Sequence, residues 1–156
     1  MFWMNKEAPA EVREVPGQVA REAERLYRSG KMHCAEAVLA AVKDAFVPEM
    51  PDQLVQLAGG FGGGSGAGCI CGAVSGGTMA LGLVMAGDKK AVAAMTREMH
   101  SWFKEEYGAT CCKILTAHGK SGCVKITTSV AGKVAELLLD RGVIPGICKA
   151  KKTERG

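Results

Sequence analysis

"CICGAVSGGTMALGLVMAG", residues 69–87, is the stretch on which the fold turns. No charge interrupts it from Ile70 to Ala86, so by hydropathy alone it competes for the role of a membrane span. The four glycines between Ile70 and Ala86, with Ser75 and Thr78, point instead to a helix buried in a protein core. Wound as a helix, the stretch puts Gly72, Gly76 and Ala80 on one face, and Ala73 and Gly77 on another. Such small-residue stripes let a neighbouring helix approach closely.

Immediately upstream lies "GGFGGGSGAG", residues 59–68. Glycine-rich turns before helices often cradle phosphates, because free backbone amides converge there. The spacing speaks against that use. No full G-x-G-x-x-G fits residues 59–77, and the relaxed form on Gly62, Gly64 and Ala67 has no strand before it. "GKS" at 119–121 imitates the end of a P-loop but has Ile114 where the first glycine belongs. The loop reads as unbranched backbone able to wrap a site and aim N–H groups into it.

Working outward, Val19, Ala23, Leu26 and Tyr27 share a helical face that stops at Gly30. A second helix, about 32–46, buries Val38, Leu39, Val42 and Phe46, and a short one opens at Pro51 and Asp52. Asp88 caps a long helix in which Val92, Met95, Met99, Trp102 and Phe103 recur at helical spacing. "CCKILTAHG" and a run from Cys123 to about Asp140 complete the set. No segment sustains strand alternation, although "CVKITTSV" has local β propensity. The expectation is an all-α, single compact bundle of about seven helices with a Gly-rich loop. Residues 1–15 read as an N-terminal arm, 16–145 as the cysteine-rich domain and 146–156 as a basic tail.

The chain has 156 residues, 47% hydrophobic and 23% charged, which suits one folded domain with its own core. Twenty basic residues against 16 acidic give +4, largely interspersed and without a recognition motif, so nucleic acid is not an expected partner. "MFWM" is too short for a secretory signal, and Asn5, Lys6 and Glu7 follow at once. The expected compartment is the cytoplasm. There, seven cysteines argue for metal binding or redox chemistry rather than a disulfide scaffold.

Cys34, Cys71, Cys112 and Cys123 each fall at the start of a predicted helix. Free N–H groups and the positive end of the helix dipole lower a thiol pKa there and favour the thiolate, which ligates soft metals. Four such ligands suit an iron–sulfur cluster or a structural zinc. Cys69 and Cys111 are alternate ligands or redox partners, and Cys148 sits apart in the tail. His33 reads as a helix cap, His100 and His118 as structural, and Met79, Met85, Met95 and Met99 as core. No C-x-x-C-H haem motif and no nucleophile–base pair appears, so electron transfer is favoured over an enzyme with its own substrate.

"GKMHCAEAVL", "GGFGGG", "CGAVSGG", "YGATCCKILT" and "GCVKITTSVAGKVAELL" together resemble the C_GCAxxG_C_C family of putative redox-active proteins. Its members are small, cysteine-rich, common in anaerobes and related to a domain of split-Soret cytochromes. The resemblance runs from about residue 24 to 140. It implies Cys34, Cys71, Cys112 and Cys123 as the four signature cysteines and an all-helical redox fold. One departure leaves a choice open: Gly72 stands between Cys71 and Ala73, and Cys69 precedes, so either cysteine can answer the central motif. The combined expectation is a [2Fe–2S] cluster on these four residues, serving a redox partner protein. Zinc on the same ligands, or metal-free thiol cycling, is the alternative, and a homo-oligomer is allowed.

Overall fold

A computed structural model describes residues 8–148. The short helix α1 (Ala10–Arg13) runs into α2 (Val15–Arg28), followed by α3 (Cys34–Phe46), a 3-10 segment (Asp52–Ala58) and a single π turn (Gly64–Gly68). Then come α4 (Gly72–Val84), the long α5 (Lys89–Tyr107), the single-turn α6 (Cys112–Leu115) and α7 (Cys123–Asp140). The fold is all-α. Among the described residues there are nine helical segments rather than seven, the additions being α1, inside the stretch read as an arm, and the turn within the glycine loop. Residues 1–7 of the arm, with "MFWM", and most of the basic tail lie outside the described residues.

Packing follows the apolar stripes. α3 lies against α2, α4 and α7, while α7 runs along α2 and α4, and α5 closes over α4. Val38, Leu39, Val42 and Phe46 are buried, as are Met95, Met99 and Phe103 of α5. The glycine stripes of α4 do what their spacing suggests. A Cβ on Gly76 would stand 2.8 Å from Ala35 Cα, and one on Gly77 would stand 2.8 Å from Met99 Sδ. Only glycine lets α4 lie this close to α3 on one side and to α5 and α7 on the other.

"CVKITTSV" is helical despite its β-branched content. Ile126, Val130 and Val134 bury one face of α7, and this tertiary gain overrides a local preference worth at most about 1 kcal/mol. Lys43 is 1% exposed, and its Nζ donates to Met50 O at 2.9 Å and meets Asp44 at 2.9 Å and Asp52 at 3.2 Å. A buried cation is costly unless so paired. It ties α3 to the turn that leads into the 3-10 segment. Among the described residues no helix is long and apolar enough to cross a membrane.

Candidate metal centre

Four helix starts meet at one end of the bundle. Cys34 opens α3, Cys71 immediately precedes α4, Cys112 opens α6 and Cys123 opens α7. All four line a single cavity of about 70 Å³, together with Tyr27, His33, Gly63, Thr116 and Lys120.

Each cysteine is held by its local backbone. His33 caps α3: its N–H donates to Glu36 Oε1 at 3.2 Å, and its ring Nδ1 lies 3.1 Å from the same oxygen. Segments far apart in sequence are joined by an isolated antiparallel bridge between Ile70 and Cys111. In it the Cys71 N–H donates to Thr110 O at 2.7 Å and the Cys112 N–H to Cys69 O at 2.5 Å. Thr116 and Thr127 turn their hydroxyls back to the carbonyls of Cys112 and Cys123, each at 2.7 Å.

The glycines supply the room. Gly64 has φ +66°, and a Cβ on it would stand 2.6 Å from Cys112 Cβ and from Cys69 N. A Cβ on Gly72 would stand 2.5 Å from Cys34 Sγ and 2.8 Å from Phe61 O. Gly72 is thus the residue against which the first cysteine's sulfur rests.

The second-choice thiols lie outside the cavity lining. Cys69 is exposed, and the Cys111 thiol donates to Gly68 O at 3.1 Å. Cys148 packs half-buried against the core. None of the seven cysteines forms a disulfide. His100 sits over Thr96 O at 2.9 Å, bound to its own helix. Among the described residues no three His, Cys, Asp or Glu side chains are placed to hold one metal ion.

The electrostatics reverse one expectation. Helix starts favour thiolates, yet the Cys71 thiol is pushed up to about 11. Burial is the largest cause, and the nearby thiols of Cys34 and Cys112 add to it against the N–H groups of Ala73 and Val74. Cys34 is raised by burial and by Cys123 and Cys112, with the Ala35 N–H opposing. Cys123 is raised by burial and by Cys112, while a hydrogen bond with the Tyr27 hydroxyl and the charge of Lys120 pull the other way. Desolvation outweighs the amides because these thiols sit in an apolar wall formed with Leu115 and Ile126. Neighbouring thiols thus add to burial in raising Cys34, Cys71 and Cys123. A cationic centre bound among these cysteines would favour their thiolates and displace their protons.

Tyr27, Thr116, Thr127 and Lys120 are the site residues that sequence reasoning missed. Tyr27 was legible only as part of an apolar stripe. Nothing in one sequence tells that the end of α2 meets the starts of α3 and α7.

The chain belongs to the C_GCAxxG_C_C family. The family model, described as "Putative redox-active protein (C_GCAxxG_C_C)", matches residues 32–137, a span that holds all four cavity cysteines. No curated protein and no solved structure matches the chain.

Proposed function

We propose that this is a small redox protein that holds an iron–sulfur cluster, of the [2Fe–2S] type, on Cys34, Cys71, Cys112 and Cys123 and passes single electrons to or from a partner. The observation that carries the reading is the convergence of four thiols from four helix starts on one small cavity. At about 70 Å³ it is far below the roughly 300–1,000 Å³ of pockets for small-molecule substrates. Four cysteine thiolates are the usual ligand set of such clusters.

The cluster supplies a one-electron couple. The chain's own residues set its surroundings. Tyr27 offers a hydroxyl to Cys123, and the amides of Ala73 and Val74 offer N–H groups to Cys71. Such donors at sulfur stabilise the more negative, reduced state. The glycine loop covers the site without adding side chains to it, and Leu115 and Ile126 keep water from one wall.

The test is a visible spectrum of anaerobically purified protein, with iron, sulfide and zinc assayed on the same sample. Brown, dithionite-bleachable absorption with near-equal iron and sulfide is expected. A colourless protein that stays colourless after anaerobic reconstitution overturns the reading, and stoichiometric zinc in that sample identifies the same thiols as a zinc site.

A further inference from the structure

The segments that build the cysteine site carry a one-sided charge. Residues 59–87 contain no charged side chain, and residues 108–125 contain Lys113, Lys120 and Lys125 but no Asp or Glu. Between α2 and α3 the exposed cation is Lys31, while the adjacent acid, Glu36, is engaged on His33. Glu105 and Glu106 bound this stretch from the end of α5. Lys120 lines the cavity itself. The Lys113 side chain lies over the glycine loop, its Cβ 3.1 Å from where a Cβ on Gly68 would stand. Lys31, Lys113 and Lys120 form no ion pair with a described residue.

Large aliphatic groups are exposed at the same place. Ile70, beside Cys71, is 47% exposed, and Ile114, two residues after Cys112, is 63% exposed. They account for two of the four large hydrophobic residues exposed among the described residues. Uncovered aliphatic side chains among unpaired cations suit a transient interface with an apolar centre and a polar rim.

We infer that this face docks an acidic protein, one that presents carboxylates around an aliphatic patch, and that it is the surface through which the cysteine site meets its redox partner. The inference rests on the redox reading above. Nucleic acid would answer the lysines but not Ile70 and Ile114, since single strands are held by aromatic stacking platforms and no large aromatic is exposed among the described residues. Charge complementarity of this kind steers encounter and fixes orientation, bringing the partner over the cavity mouth.

The test measures anisotropy of a fluorescein-labelled peptide of repeating Glu-Leu-Glu-Asp, with an oligo-dT strand of equal length as the competing probe. Iron and sulfide are assayed on every sample, so loss of docking and loss of the cofactor are read separately. The peptide is expected to bind at about 0.01 M salt and to weaken at least tenfold by about 0.15 M, as the Debye length falls from about 30 Å to about 8 Å. Lys31→Glu with Lys113→Glu should abolish binding while the cofactor content holds. Lys89→Glu with Lys90→Glu, an equal change in net charge at the start of α5, should leave binding within about twofold. Equal losses in the two double variants would reduce the effect to net charge and overturn the inference. Binding of oligo-dT as tight as that of the peptide would overturn it in favour of nucleic acid, and no salt-sensitive binding would overturn it outright.

Discussion

Replacing Gly72 by alanine adds one methyl group and tests the site at its tightest point. The new Cβ would lie 2.5 Å from Cys34 Sγ and 2.8 Å from Phe61 O. An ordinary contact begins near 3.4 Å, so the sulfur or α4 must give way by about 0.9 Å. Overpacking of this kind costs about 1–3 kcal/mol, and alanine's better helix propensity returns up to about 1 kcal/mol. The net loss of stability is therefore small, about 0–2 kcal/mol, and the protein should still fold. A ligand set tolerates much less movement, since its geometry must hold within about 0.5 Å. Gly72→Ala is expected to unfold cooperatively in urea at a slightly lower midpoint while losing most of its iron and sulfide after anaerobic reconstitution. Gly82→Ala is the matched control in the same helix: nothing lies within 4 Å of its added Cβ, so it should be neutral or stabilising by up to about 1 kcal/mol. Full cofactor content in Gly72→Ala, with stability unchanged, would refute the claim that Cys34 Sγ rests there as a ligand.

Single Cys→Ser changes at 34, 71, 112 and 123 should each strip or destabilise the cofactor, whereas Cys69→Ser, Cys111→Ser and Cys148→Ser should not; equal iron content in all seven variants would contradict the ligand assignment. In chelator-stripped protein, timed alkylation read by mass spectrometry should label exposed Cys69 first and Cys71, 7% exposed, last. Because the Cys71 thiol is raised from 9.0 to about 11 on folding, the folded state keeps a proton that the unfolded chain releases between these values. Stability of the stripped protein should be full below pH about 9 and fall by about 2–3 kcal/mol towards pH 11, as urea titrations at successive pH values will show. Tyr27→Phe removes the hydroxyl donor from Cys123 and should lower the reduction potential with little change in melting temperature.

The fold was legible because its signals are local and repeated. Gly76 and Gly77 announce close helix packing by their place in the small-residue stripes, the α3 stripe is buried as read, and in α5 Met95, Met99 and Phe103 are buried while Val92 and Trp102 are half-buried. The short elements were harder. The single turn at Gly64–Gly68 has Ser65 at φ +61°, a conformation that depends on loop closure and leaves no periodic trace. The choice between Cys69 and Cys71 illustrates the same limit. One chain position separates equivalent thiols, and burial is decided by pairing with Thr110 and Cys111, some forty residues away. Long-range pairing of this sort is invisible to helical periodicity.

The cysteine placement also constrains the topology. Cys34, Cys71 and Cys123 sit at the starts of α3, α4 and α7 and line one cavity, so these three helices must all run away from it. Helices that share a direction cannot be joined by tight turns. α3 therefore returns to the site through the 3-10 segment and the glycine loop, and α4 returns through the long α5. This arrangement sets three positive dipole ends side by side, which is unfavourable unless negative charge accumulates between them. Neutral thiols do not supply that charge, and burial keeps Cys34, Cys71 and Cys123 neutral. Thiolates held by the proposed cluster would supply it. On the proposed cluster reading, the long return connections, the glycines and the buried thiols would share one physical cause: an anionic ligand shell that forms when the metal binds.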